Sequence, residues 1–288
     1  MKSTNQIHQP MRSIPERHGL SYAEFAVEYL FPNQPVILTD GLKGWTAVGK
    51  WTPDFFRQKY SGKSLEINGH TYSVDEFFGL VENSSAEQVA PYFRNQQVQL
   101  VFPELLEDLQ PPPPYILPNW LRGPFYPSEG REAEIYIGGA GGQFPIVHYD
   151  GNSTHAFLGQ VYGEKEAVLY SPAETHLLYP KERPRNHSFI ADVENFDAEK
   201  FPLFAQATAL RGVLKPGYLI FIPDRWWHSA RMLSASITIS YNVANRSNWK
   251  HVTEEVCYKV RGKSAVLAPL LKVYMAVLGL GQGLVDLF

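Results

Sequence analysis

The chain has 288 residues, a net charge of −3, and 44% hydrophobic and 14% aromatic residues, the profile of an ordinary globular protein with a large core, either one elaborated domain or two small ones. No basic excess marks a nucleic-acid footprint, which disfavours a polyanionic partner. The single Cys257 rules out an internal disulfide and fits a reducing compartment. The opening MKSTNQIHQPMRSIPERHGL has no apolar core of signal-peptide length, so the expected location is cytoplasmic.

Residues 21–31, SYAEFAVEYLF, open on a capping box of Ser21 and Glu24 and continue with helical spacing. PVILTD (35–40) reads as a short buried strand closed by the turn DGLKGW. Thr52-Pro53 starts a helix through Tyr60, with proline in its first turn, and Ser73 with Glu76 forms a second capping box before FFGLVEN. Residues 90–101 alternate in part like a strand. PELLEDL is a short helix, and the run Pro111–Pro114, compatible with neither helix nor central strand, is a rigid connector.

The second half changes character. EIYIGG (134–139), the stretch around His148, EAVLYSP (166–172), GYLIFIP (217–223) and SITISYNV (236–243) are short β-rich runs between glycine and proline turns. No helical pattern alternates with them, which predicts an antiparallel sheet. The expected fold is mainly β with helical decoration: a double-stranded β-helix, the jelly-roll or cupin-like architecture, with N- and C-terminal helices. The expected divisions are residues 1–115 as a helical and strand region on the barrel, 116–245 as the jelly-roll core, and 246–288 as a C-terminal helical region. The apolar run from Val266 to Phe288 is interrupted by Pro269, Lys272, Asp286 and glycines, so a buried or dimer-forming helix is expected there, not a membrane span.

His148 and Asp150 are two apart in a β-favouring run, so their side chains share a face. With a distant third ligand, His228 in FIPDRWWHSA, they make a 2-His-1-carboxylate set that leaves open positions on a ferrous ion. The pair alone says little, because nine histidines and 29 acids give roughly one His-x-Asp/Glu by chance. Lys165 reads either as a turn lysine or as a cation for the far carboxylate of a dicarboxylic acid. His228, Trp226 and Trp227 also suit an ordinary core. In SITISYNV, Thr238, Ser240 and Asn242 alternate against Ile237, Ile239, Tyr241 and Val243, the pattern of a wet or ligand-filled interior or of a solvent face.

Taken in order, these signals form one joint pattern. PVILTDGLKGW, KWTPDFFRQKYSG, FPELLEDLQPPPPY, IYIGGAGGQFPIVHYD, GQVYGEKEAVLYSP, LKPGYLIFIPDRWWH and SITISYNV resemble the Jumonji-C, cupin-like branch of the iron(II)- and 2-oxoglutarate-dependent oxygenases. The likeness is greatest to the group containing the asparaginyl hydroxylase of hypoxia-inducible factor. The resemblance implies iron held by His148, Asp150 and His228, and a 2-oxoglutarate C5 carboxylate held by Lys165 and Tyr92, with Asn242 near its C1 end. Two positions depart from the family pattern. Pro145 stands where Ser or Thr is usual, and Thr154 where Asn is usual, with Asn152, Thr154 or His155 as the expected replacement.

The implied activity is hydroxylation of an amino-acid side chain in a protein or peptide, using O2. The alternatives are the same chemistry on a free small molecule or a modified tRNA base, and a non-catalytic cupin binding module. Arg94 and Arg225, if at the mouth, would suit an acidic substrate; otherwise they are surface ion-pair partners. The resemblance also implies a homodimer through the C-terminal helices, with no membrane partner.

Overall fold

The structure is a computed structural model that describes residues 9–122, 133–262, 264 and 266–285. The first eight residues and the last three of the C-terminal apolar run lie outside the described residues. In chain order the strands are β1 (Met11–Ser13), β2 (Glu16–Arg17), β3 (Val36–Leu38), β4 (Ser64–Ile67), β5 (His70–Ser73), β6 (Phe93–Gln97) and β7 (Glu134–Gly138). They continue with β8 (His155–Tyr162), β9 (Lys165–Tyr170), β10 (Ala209–Leu214), β11 (Leu219–Ile222), β12 (Trp227–Met232) and β13 (Ser236–Val243).

One sheet runs β2-β3-β11-β8-β13-β7-β6 and a smaller one β1-β10-β9-β12, while β4 and β5 form a separate hairpin. The pairings among β7–β13 are antiparallel, as the strand signals predict. The exceptions are N-terminal: β1 joins β10 and β2 joins β3 in parallel, through two or three residues each.

Period-2 alternation sorts the central strands into layers. On the larger sheet, Val36, Phe157, Val161, Leu219, Phe221, Ile237, Ile239 and Val243 face outward into a core shared with Phe25, Trp51, Phe56 and Phe77 of the N-terminal region. On the smaller sheet, Val168, Tyr170, Ala209 and Trp227 face outward under the loops of residues 172–207. Ile37, Ala156, Ile220 and Ile222 of one sheet meet Ala167, Leu169 and Leu214 of the other in a central core. This double-sheet jelly roll is the expected fold class. Its apolar filling stops at the end where β8, β9, β12 and β13 present polar side chains, and that end holds the site.

The helix-start signals are realised. Ser21 Oγ accepts from the Glu24 N–H at 3.3 Å while Glu24 accepts from the Ser21 N–H at 2.9 Å, and Ser73 with Glu76 repeats the exchange. Thr52 caps the helix Pro53–Lys59 through the Phe55 N–H. Other local expectations need correction. The helix expected over 21–31 is α-helical only for Tyr22–Phe25 and then widens to a π-helix over Ala26–Leu30. PELLEDL is a 3-10 helix, Pro103–Leu109, and Pro114 opens a 3-10 turn through Ile116.

The C-terminal region is the helix Trp249–Arg261 followed by Leu267–Val285. The Trp249 indole N–H donates to the Met275 carbonyl at 2.8 Å. Gly279 lies so close that a Cβ there would meet the Trp249 ring at 2.5 Å. The opposite side of the last helix exposes Leu267, Leu270, Val273, Tyr274, Val277 and Leu280. Among the described residues no helix is long and apolar enough to cross a membrane.

Candidate functional site

The stretch around His148 is not a regular strand. It forms single bridges, with His148 paired to His228 on one side and to His187 on the other. Backbone N–H groups of His148 and His228 donate to each other's carbonyls at 3.1 and 2.6 Å. Directly opposed residues project to the same face, so the fold aligns two histidines that are 80 positions apart.

Their outward neighbours fix the register. Tyr149 and Trp227 point to the other face and meet edge-to-face, ring centroids 5.0 Å apart. The Asn186 side chain also donates to the Tyr149 carbonyl at 2.8 Å.

Both imidazoles are turned the same way. His148 Nδ1 lies 3.1 Å from the Ile146 carbonyl and His228 Nδ1 2.9 Å from the Trp226 carbonyl. With Nδ1–H donating to the backbone, each Nε2 keeps its lone pair for a metal. Asp150 Oδ1 is 3.9 Å from both Nε2 atoms. The three ligand atoms lie within 4.8 Å of one another, close enough for one ion to touch all three. Burial and the neighbouring His228 hold His148 well below the ordinary imidazole range, which favours the neutral, ligating form. Burial pushes the Asp150 carboxyl up, and His228 acts in the opposite direction.

The ligands open on a cavity of about 60 Å³, whose wall includes Tyr92, Tyr136, Phe144, Lys165, Thr238, Ser240 and Asn242. It is far smaller than the 300–1,000 Å³ typical for drug-sized ligands. A groove of about 790 Å³ lies behind Tyr149 and Trp227, but the metal-binding atoms face away from it.

Lys165 is 3% exposed, and its ammonium donates to Thr238 Oγ1 at 2.5 Å. Thr238 in turn donates to Gln160 Oε1 at 2.9 Å, so its lone pairs are aimed at the lysine. Gln160 is itself held by the Tyr162 carbonyl and Ser236 Oγ. No carboxylate lies within ion-pair distance of Lys165 among the described residues, and burial pushes its ammonium down to about 7. A buried cation without a counter-charge is costly; a carboxylate entering this cavity would relieve it. Two imidazoles with Nε2 turned inward, a carboxylate and this orphan cation fit a ferrous ion with 2-oxoglutarate.

The structure brings His148, Asp150, His228, Lys165, Tyr92 and Asn242 to one cavity. Burial raises the Tyr92 phenol, which therefore carries its proton as a donor. Thr154 stands one layer back: it is buried, and its hydroxyl donates to Asn242 Oδ1 at 3.0 Å. That contact uses only the Asn242 side-chain carbonyl oxygen, and its amide hydrogens have no partner among the described residues. Arg225 is ion-paired with Glu254 at 3.0 Å and lies outside the cavity. Arg94 rests over the Phe144 ring at 5.1 Å, and Phe144 stacks on His148 with centroids 4.2 Å apart.

Three wall or rim residues escaped the sequence reading. Tyr136 was detectable, since it alternates against Ile135 and Ile137. Phe144 and His187 lie on irregular backbone, where no period marks a face.

The cupin-like domain model matches residues 22–254. Lysine-specific demethylase 8 of Xenopus tropicalis is 30% identical over 244 residues, covering 80% of this chain and 52% of that protein. Jumonji C domain-containing protein 5 of Drosophila melanogaster is 28% identical over 79% of this chain and 59% of its own length. tRNA wybutosine-synthesizing protein 5 of Gallus gallus is 28% identical over 88% of this chain and 81% of its own length. The chain thus spans somewhat over half the length of the demethylase and Jumonji-C relatives. The likeness to the asparaginyl hydroxylase rests on the motifs alone. With the match covering most of its length, the chain belongs to the cupin-like domain family.

Proposed function

We propose that this protein is an iron(II)- and 2-oxoglutarate-dependent oxygenase that hydroxylates an amino-acid side chain in a protein or peptide. The observation that carries the reading is the shared cavity: three metal-binding atoms at one end and the uncompensated ammonium of Lys165 in the same wall. When bound, iron with 2-oxoglutarate and O2 supplies the oxidising power, releasing succinate and CO2 and placing one oxygen atom in a substrate C–H bond.

The chain's own residues do the rest. His148, Asp150 and His228 hold the metal. Lys165 takes the C5 carboxylate, with Tyr92 as a second donor to it, and Thr238 and Gln160 keep the ammonium in place. Asn242, oriented by Thr154, donates toward the C1 end. The aliphatic and aromatic walls, Ala156, Leu158 and Phe144, exclude water from the reacting centre.

A second reading is supported by the wybutosine-synthesizing relatives, whose match spans more of their own length: the same chemistry on a modified tRNA base. The net charge of −3 weighs against a polyanionic substrate. We further propose that the exposed stripe of the helix Leu267–Val285 pairs two copies of the chain, and that the protein works in the reducing cytoplasm. Incubation with Fe(II), ascorbate and 2-oxoglutarate tests the activity. Succinate above the metal-free background, lost in His148→Ala, is the expected result; no succinate from the parent protein overturns it.

A further inference from the structure

Resting on that reading, two unassigned residues beside the metal centre bear on what enters it. His187 continues the bridge pattern, lying across from His148 on the side opposite His228. Its ring is 6.3 Å from that of His148 and nearly perpendicular to it. Its backbone is fixed by hydrogen bonds to the Pro184 carbonyl and from the Lys181 N–H. Neither ring nitrogen has a hydrogen-bond partner among the described residues, although the ring is half-buried. Both ligand histidines, by contrast, have Nδ1 held by backbone carbonyls.

Arg94 flanks the centre through Phe144, forming a stack of guanidinium, phenyl ring and His148 imidazole. It is near enough to act on the charge of both Tyr92 and His148. Among the described residues its guanidinium makes no ion pair and donates no hydrogen bond. Arg12, Arg183, Arg246 and Arg261 also lack an ion pair among the described residues, but Arg94 alone of these stacks on a ring that covers a metal-ligand histidine. Of the nearby carboxylates, Asp150 is a metal ligand, Glu134 accepts from the Tyr136 hydroxyl at 2.8 Å, and Asp192 accepts from the Asn195 side chain at 3.0 Å. A cationic side chain entering here would meet an uncompensated guanidinium. A carboxylate would meet a planar five-donor fork and an imidazole with open nitrogens.

We propose that Arg94 and His187 select the substrate, and that this substrate is a peptide carrying an Asp or Glu side chain at or beside the oxidised position. Arg94 takes the carboxylate and His187 hydrogen-bonds the polar group nearest the metal.

The test uses the full chain with Fe(II) and 2-oxoglutarate, and three degenerate peptide libraries fixed at one position as acidic, amide or basic. Free aspartate and glutamate, and an RNA hairpin, run alongside. Succinate release and a +16 mass shift are the readouts. The acidic library should stimulate turnover at least tenfold over the basic one, and Arg94→Glu should invert that preference. His187→Ala should raise the KM for the acidic library about tenfold, with His187→Gln recovering part of it. Stimulation by free aspartate or glutamate equal to that by the acidic library would overturn the peptide assignment.

Equal stimulation by the basic library, an acidic preference that survives Arg94→Glu, or stimulation by the RNA alone overturns the inference while leaving the oxygenase standing. Substrate-independent succinate with no response to any probe also overturns it. No succinate under any condition removes the oxygenase reading itself, and the inference with it.

Discussion

Replacing Lys165 with methionine should separate stability from function. Lys165 is 3% exposed and, among the described residues, has only the Thr238 hydroxyl as a hydrogen-bond partner. Its ammonium falls from 10.5 to about 7 through burial. Each tenfold change in proton affinity is worth about 1.4 kcal/mol, so at pH 7 the folded state bears a penalty of roughly 4 kcal/mol from this group. Methionine matches the length of the aliphatic stem without the charge, and the lost hydrogen bond offsets about 1 kcal/mol. The net gain of about 3 kcal/mol corresponds to a rise in Tm of about 6 °C for a chain this long.

The sign is fixed by linkage. A lysine whose folded affinity for protons is depressed leaves the unfolded chain holding the extra proton between about pH 7 and 10.5. Stability of the parent therefore rises with pH in that window, and the advantage of the variant shrinks. The same substitution should weaken 2-oxoglutarate binding about 100-fold or more, because a buried carboxylate would lose its counter-charge. Calorimetric melts at pH 6, 7 and 9, with titration of 2-oxoglutarate into Fe(II)-loaded protein, check both halves. A lower Tm for the variant at pH 7, or an advantage that grows with pH, refutes the reasoning.

Four further outcomes follow from the same coordinates. 2-Oxoglutarate binding to Fe(II)-loaded protein should take up a proton above about pH 7, as Lys165 recharges, and titrations in buffers of different ionisation enthalpy measure it; no uptake at pH 8 refutes it. Thr154→Val removes the hydroxyl that orients Asn242 and should raise the KM for 2-oxoglutarate about fivefold to tenfold, with little change in Fe(II) affinity. Gly279→Ala drives a Cβ into the Trp249 ring, which is held by the Met275 carbonyl. It should destabilise the protein by about 1–2 kcal/mol despite alanine's better helix propensity, seen as a lower urea midpoint. Val273→Glu with Val277→Glu places charges on the exposed apolar stripe and should convert a dimer to a monomer by light scattering; a monomeric parent contradicts the proposed pairing.

The barrel was legible where the sequence keeps a strict period. Thr238, Ser240 and Asn242 line the cavity while Ile237, Ile239 and Val243 enter the outer core, and the polar strand face was the signal. The capping boxes at Ser21 and Ser73 depend on four consecutive residues and were equally readable.

What the sequence hides is set by partners distant in the chain. The stretch carrying His148 and Asp150 bridges rather than forms a strand, because its register comes from His228 on one side and His187 on the other. Thr154 stands behind Asn242 because β8 and β13 pair side by side, with Asn242 opposite Ala156, a relation no local pattern contains. The parallel joins of β1 and β2 are edge additions of two or three residues, too short to leave a periodic trace.

The central claim is that His148, Asp150 and His228 hold one ferrous ion between them. Anaerobic equilibrium dialysis against Fe(II), with folding of each variant confirmed by circular dichroism, measures this directly. The account predicts one ion per chain for the parent and none retained by Asp150→Ala or His228→Ala at the same free metal concentration. Undiminished binding in folded variants, or no ion bound by the parent, would contradict it.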